Sequence, residues 1–311
     1  MSWEFEVIAG PYSGPTDGPV WNGEGLLFTQ LAMPANSAEN RILRYDPRSG
    51  EVTDFRRWTN RTAGLAFSAD GILYGCQSAG RRLVRFNADG TTTALAHKLG
   101  GLYHNQPKDM AVDQQGRIWF TDPHGNLREA ANPQIKDKLD HASVLRMHAP
   151  PHQDAPISRM TYDTDAPNAL LLSRDGRTLY VAESSEEIQG KRELRAYPIL
   201  EDDTLGAYSL LHVFGADDNG VHRGVSGMCL DNEGNILACA GWNRSGPGPM
   251  IYVFSPQGRV LETHPLPDGT PTNCAFGDAS LGTLFVTTSE GLLYRVRNSQ
   301  RRGWSLYPNT Q

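Results

Sequence analysis

Six copies of one short phrase recur along the chain, and their spacing limits its possible folds more than any other feature. Each copy is a brief apolar run in alternation, a polar turn and a second apolar run. The copies read Asp17-Gly-Pro-Val-Trp-Asn22, Ala63-Gly-Leu-Ala-Phe-Ser68, Lys108-Asp-Met-Ala-Val-Asp113, Asn168-Ala-Leu-Leu-Leu-Ser173, Ser226-Gly-Met-Cys-Leu-Asp231 and Thr272-Asn-Cys-Ala-Phe-Gly277. Equivalent positions in the following runs, Leu27, Leu73, Trp119, Leu179, Leu237 and Leu284, lie 46, 46, 60, 58 and 47 residues apart. Period-two alternation reads as strands, and a repeat of this length is that of four-stranded blades around one axis. The sequence therefore predicts an all-β, six-bladed β-propeller, with residues 1–311 forming one domain.

Radial symmetry then says where chemistry should collect. The first residue of each phrase begins an innermost strand and falls at one mouth of the central channel. Those residues are Asp17, Ala63, Lys108, Asn168, Ser226 and Thr272. Asp17, Lys108, Asn168 and Ser226 carry a charge, an amide or a hydroxyl, whereas the residues that follow them are mostly apolar. This ring is the candidate site.

Composition excludes several classes of partner. The net charge is −6 and no Lys/Arg run exceeds two residues, which disfavours nucleic acid and anionic membrane surfaces. The opening Met1-Ser-Trp-Glu-Phe-Glu6 is acidic where a signal peptide needs a basic stretch, and no segment approaches the length of an apolar membrane span. A cytoplasmic protein with a small-molecule substrate and no obligate protein partner is expected. Cys76, Cys229, Cys239 and Cys274 form no Cys-x-x-Cys pair and read as small buried hydrophobes in a reducing compartment.

The turn pairs Asp70-Gly71, Asp89-Gly90 and Asp175-Gly176 suit short strands joined by hairpins, and no stretch has a helical period. Trp3 to Ile8 alternates and is expected to close the ring as an outer strand beside Leu292 to Val296. The wide spacing after the third phrase marks an excursion from Asp122 to Asp165, with His124, His141, His148 and His152, expected as a lid over the mouth or as a solvated loop. Gly241 to Gly248 is glycine-rich but lacks the context of a phosphate loop, and no Gly-x-Ser-x-Gly elbow is present.

From about Gly14 to Arg297 the chain resembles the gluconolactonase, senescence-marker-protein and luciferin-regenerating-enzyme (SMP-30-like) family of six-bladed propellers. The resemblance rests on Asp17-Gly-Pro-Val-Trp21, Asn105-Gln-Pro-Lys-Asp109 leading to Trp119-Phe-Thr-Asp-Pro123, Asp175 to Ala182, and Pro271 to Gly277. It implies hydrolysis of sugar lactones, with organophosphates among the substrates of more distant relatives, and one divalent cation at the end of the channel. The family's cation ligands are a carboxylate in the first phrase, Asn in the third in many members, Asn in the fourth and Asp in the fifth. Carried over, these positions are Asp17, Lys108, Asn168 and Ser226, of which Asn168 alone is the family's usual residue.

Lys108 is the departure with consequences. A dication about 4 Å from an ammonium is repelled by roughly 8 kcal/mol at an effective dielectric near 20. Hard cations also need several oxygen ligands, and this ring offers one carboxylate, one amide and one hydroxyl. The reading favoured is therefore a site without a cofactor, its ammonium in the cation's place, paired with Asp17 and bonded by Asn168 and Ser226. The alternative is one retained divalent cation (Ca, Zn, Mg or Mn) on Asp17 and Asn168. The catalytic candidates are Asp17, Lys108, Asp109, Asn168 and Ser226. Asn105 is assigned to ligand hydroxyls and Asp109 to general-base work, although on a regular strand Asp109 faces away from Lys108. His104 and His222, candidate acid-base groups near the rim, and Thr272, which completes the ring, are assigned with Asn105 to substrate binding, and Arg223 and Trp242 are positioned for an anionic or ring-shaped ligand. The leading expectation is a lactone or ester hydrolase. A lyase or isomerase using Lys108 on a non-sugar carbonyl, and a non-catalytic binding propeller, are the alternatives.

Overall fold

A computed structural model describes residues 2–125 and 137–308. Among them there is no helix, and six four-stranded antiparallel sheets stand around a central channel. The innermost strands are Thr16–Trp21, Thr62–Phe67, Met110–Val112, Pro167–Leu172, Gly227–Leu230 and Pro271–Gly277, each within or overlapping one copy of the repeated phrase. In five of the blades the chain steps outward, strand by strand, to the blade's rim.

One local device sets the polarity of the blades. The turn after an inner strand opens with a residue whose side-chain oxygen accepts backbone N–H groups, and closes on a glycine with positive φ. Asp113 Oδ1 takes Gln115 N at 3.0 Å and Arg117 N at 2.9 Å, and Gly116 lies at φ 76°. Asp231 repeats the arrangement with Glu233 N and Asn235 N, closing on Gly234 at φ 84°. Ser68 and Ser173 do so through hydroxyls, before Gly71 and Gly176. Asx- and Ser/Thr-type turns of this kind mimic a backbone turn, and only glycine adopts the closing conformation without strain. These turns all fall at one end of the channel, the floor, so the starts of the inner strands gather at the other, the mouth.

The ring closes through the sixth blade. Its outermost strand, Glu6–Ala9, is the first in sequence and pairs with Leu293–Val296. It starts later than the alternation from Trp3 suggests, because Trp3 leaves the sheet to stack on His264 of blade five, with ring centroids 3.7 Å apart. Arg295 Nη2 pairs with Glu6 Oε2 at 2.7 Å across this seam.

The expected excursion from Asp122 to Asp165 is divided by the strands Ser143–Met147 and Ile157–Arg159. His124 and His141 stay at the mouth end, whereas His148 and His152 lie in the floor-side loop between those strands. Residues 126–136, on which a lid would depend, lie outside the described residues. After Val296 the chain turns beneath the propeller. Gly303 N donates to Leu281 O at 2.7 Å, Trp304 N donates to Leu230 O at 3.0 Å, and the Tyr307 ring lies 5.2 Å from that of Phe67. All four cysteines are free, and the Cys229 and Cys274 sulfurs approach to 3.5 Å between neighbouring inner strands.

Candidate functional site

The mouth of the channel holds a pocket of about 270 Å³. Its lining includes Asp17, Lys108, Asn168, Ser226 and Thr272, the five polar first residues of the repeated phrases. Each stands where its inner strand begins, so blade symmetry alone brings together residues separated by up to 255 positions in the chain.

Lys108 reaches across the axis from blade three to blade five. Its Nζ donates to the Ser226 carbonyl at 3.3 Å and approaches the Ser226 hydroxyl at 3.4 Å. Burial pushes the ammonium below the ordinary lysine range, while the Asp17 and Asp109 carboxylates pull it back up and Arg223 lowers it further. The expected pairing is partly corrected. Among the described residues no ion pair within 4.0 Å joins Lys108 to Asp17, and the ammonium donates to Ser226 rather than to the Asn168 amide oxygen, while the Asn168 amide N–H goes to Val225 O at 3.1 Å. Asp17 instead accepts Gly18 N on Oδ1 at 2.8 Å. The bent backbone here, with Gly18 at φ 49°, turns the carboxylate back onto its own strand.

Asp109 does not share the pocket. Successive side chains on a strand point to opposite sides, and Asp109 lines the lower channel, where Leu170 N donates to its Oδ2 at 3.2 Å. Burial raises its carboxyl to about 7, against a weaker opposing pull from Lys108. As a general base at the mouth it is misplaced by one strand position.

The remaining candidates divide. Thr272 lines the pocket, but its hydroxyl is held by Thr16 O at 2.6 Å and Thr287 Oγ1 at 2.8 Å. Asn105 does not line it. That side chain is buried, donating to Asp122 O at 3.3 Å and His141 O at 3.2 Å, and its backbone N–H donates to Asp122 Oδ2 at 2.8 Å. His104 is fully buried, its ring 5.1 Å from that of Phe120, with neither ring nitrogen hydrogen-bonded among the described residues; burial depresses it to about 3. It is a neutral interior group, not a rim acid or base. His222 sits on the short hairpin of blade five with Nε2 3.3 Å from Asp217 Oδ2, outside the pocket lining.

Ser184, Ser185, Glu186 and Ser289 also line the pocket, and the repeat did not single them out. They stand at or just after the far ends of second strands. Those ends oppose the starts of inner strands, as Pro167 opposes Glu183 and Pro271 opposes Thr288. The antiparallel hairpin register carries this signal, and applying it to each blade would have found them. Arg223 and Trp242 line the pocket as their positions suggested.

As a possible cation site the ring supplies one carboxylate, one amide oxygen and the Ser226 hydroxyl, which the Lys108 ammonium contacts, while the Thr272 hydroxyl is engaged by Thr16 and Thr287. Among the described residues no three His, Cys, Asp or Glu side chains are grouped to hold a metal ion. No helix among them is long and apolar enough to cross a membrane.

Comparison with known proteins sets this geometry in a family. The chain is 27% identical over 316 aligned positions to a gluconolactonase of Zymomonas mobilis, covering 96% of this chain and 82% of that one. It is 26% identical to a 6-deoxy-6-sulfogluconolactonase of Pseudomonas putida, covering 87% and 82% of the two chains. Among solved structures, a gluconolactonase from Xanthomonas campestris superposes with a TM-score of 0.75 at 29% identity, over 94% of this chain and 89% of that one. Residues 15–290 match the family model described as the SMP-30/gluconolactonase/LRE-like region, and the chain with its ring of mouth residues belongs to that family.

Proposed function

We propose that the protein hydrolyses a small lactone at the mouth pocket, with the Lys108 ammonium supplying the electrostatic stabilisation that a metal would otherwise give. The lactonases among its relatives support the reaction class. The observation that carries the site assignment is the reach of Lys108 Nζ across the channel to Ser226, in a pocket it shares with Asp17. A divalent cation does not fit this donor set. It would lie beside a positive charge, with Asp17 the one carboxylate of the ring and Glu186 the one other carboxylate in the lining.

The chemistry needs three tasks done. The lactone carbonyl oxygen docks against Lys108, whose positive charge stabilises the oxyanion that develops there. The Asp17 carboxylate orients a water and takes its proton as the water oxygen bonds to the carbonyl carbon. On collapse the ring C–O bond breaks, the proton passes from Asp17 to the departing alkoxide, and the product is an open-chain hydroxy acid that ionises in water. Asn168, with its N–H group on Val225, keeps its amide oxygen for a ligand hydroxyl.

The test is lactone turnover and metal content of protein prepared without added metal, measured with and without chelator. Metal-free protein whose activity ignores chelator supports the reading, and one tightly held divalent ion with chelator-sensitive turnover overturns it. Lys108→Met should lower kcat by about 10²–10³. The burial that lowers the Lys108 pKa also favours a second reading, the free amine as a base on a carbonyl substrate. Lys108→Arg separates the two, since it keeps the charge but supplies no free amine: partial turnover fits electrostatic stabilisation, and complete loss fits amine chemistry.

A further inference from the structure

Arg223 is a cation of the mouth pocket whose charge no part of the mechanism uses. It follows the short hairpin Ala216–Asp217/Gly220–Val221 and enters the pocket three residues before Ser226. Its Nη1 donates to Pro271 O at 2.9 Å and, more weakly, to Gly241 O at 3.5 Å. Both acceptors are neutral carbonyls. Among the described residues no carboxylate lies within 4.0 Å of this guanidinium, as is also true of Arg61, Arg81 and Arg192, none of which lines the pocket.

A guanidinium offers five donors in a planar fork suited to carboxylate, sulfonate or phosphate oxygens, and it stays charged even when partly buried. Two carbonyl contacts fix its orientation and leave most of that fork unused. Of the side chains that share its pocket, Ser185 accepts from Glu187 N and keeps its hydroxyl proton for an anion, whereas the Ser184 and Ser289 hydroxyls donate to Val225 O and Glu290 Oε1 and the Trp242 indole N–H is held by Ser245 Oγ at 2.8 Å. Glu186 stands in the same lining without pairing with Arg223, and it acts on the guanidinium only through the longer-range field, as Asp17 and Glu290 do. A half-buried cation without a directly paired counter-ion gains from a ligand that brings one.

We propose that the substrate is a lactone carrying a negatively charged substituent, and that Arg223 binds this substituent while Lys108 addresses the ring carbonyl. The inference rests on the lactonase reading for the reaction, but the anion subsite is separable from it. Arg223 would then be a specificity-determining residue: it acts on the choice of substrate and leaves the bond-breaking step to Lys108 and Asp17.

The experiment compares two γ-lactones of equal carbon number, an aldonic lactone ending in a hydroxymethyl group and an aldaric monolactone ending in a free carboxylate. A sulfonate-bearing lactone serves as a third arm. Wild-type protein is expected to prefer the charged lactones in kcat/KM by about tenfold or more, the size of one charge-assisted hydrogen bond. Arg223→Met should raise KM for the charged lactones by that factor, change the neutral lactone by less than about threefold, and leave the melting temperature near that of the wild type. Arg223→Lys should recover part of the preference. Preference for the carboxylate over the sulfonate, or the reverse, identifies which anion the fork fits. Equal treatment of charged and neutral lactones by the wild type, or equal damage to both in Arg223→Met, overturns the proposal.

Calorimetric binding of the open-chain dicarboxylate keeps the two readings apart. Arg223-dependent binding without turnover of any lactone upholds the subsite and defeats the hydrolase, whereas turnover without Arg223-dependent discrimination does the reverse.

Discussion

Three buried titratable groups sit close to the mouth without belonging to it, and their proton balance is measurable. Burial raises Asp109 and Asp122 from an ordinary 3.8 to about 7, and lowers His104 from 6.5 to about 3. Between pH 4 and 7 the unfolded chain has released the two aspartate protons that the native state keeps. Stability therefore falls with rising pH, by up to about 1.4 kcal/mol per pH unit for each acid. His104 has the opposite sign. Between pH 3 and 6.5 the unfolded chain binds a proton that the native state refuses, so this contribution is complete above 6.5 and is lost as pH falls. From pH 4 to 6.5 the histidine cancels one aspartate and leaves a net slope of about one proton. Asp109→Asn keeps an acceptor for Leu170 N and should shift the measured slope by about one proton in urea titrations at pH 4.5, 5.5 and 6.5. An unchanged slope would mean that Asp109 is ionised in the native state. The sequence did reveal that Asp109 follows Lys108 and must face away from it. It could not reveal that His104 and Asn105 are enclosed, since their burial depends on packing from Phe120, Asp122 and His141, whose approach no local pattern encodes.

At the scale of strands and turns, the inner strands depend on close backbone approach as much as on side-chain packing. A Cβ on Gly64 would come within 2.7 Å of Lys108 O and 2.8 Å of the Asp109 Cα. Backbone cannot yield that distance cheaply, so Gly64→Ala should push the start of the third inner strand off the axis and carry Lys108 with it. The expected outcome is a kcat loss of at least tenfold, with retained β-type circular dichroism; full activity would mean that the strand relaxes without moving the lysine. The Asp113 turn makes a separate prediction. Its carboxylate serves two backbone N–H groups, pairs with Arg117 Nε at 2.6 Å and accepts the Trp119 indole N–H at 2.9 Å. Asp113→Ala leaves that buried indole unsatisfied and should cost about 2–3 kcal/mol in denaturant unfolding, with the mouth kinetics unchanged. Both sites were legible as repeat positions, because the phrase fixes the inner strand and its turn. Ser184, Ser185 and Glu186 were missed for the converse reason: they follow a second strand of variable length, and only the pairing register shows that its end returns to the mouth.

The whole molecule is a ring with two ends, and the C-terminal segment makes them unequal. From the Asp109 level downward the channel holds a second cavity, of about 230 Å³, lined by Phe67, Met110, Leu172, Met228, Leu230 and Phe276 among others. Trp304 to Tyr307 form part of its floor. The repeat foretold the ring, its six blades and its N-terminal closing strand, because each of those is an instance of one rule applied around an axis. The floor segment lies outside the period, has no alternation of its own and is held by backbone bonds to Leu230 and Leu281, so nothing in its composition announced it. Ending the chain after Arg302 should open the apolar cavity to water. Loss of the Trp304 contacts alone should cost on the order of 3 kcal/mol, and binding of a dye such as ANS should rise as the lining becomes accessible. The mouth is built from residues on the other side of the Asp109 level, so KM and kcat for a lactone should stay within about twofold of the full chain below the new melting temperature. A kinetic loss larger than the loss of folded protein would mean that the two ends of the channel are coupled through the inner strands. Unchanged dye binding would mean that the neighbouring turns close the floor without the segment.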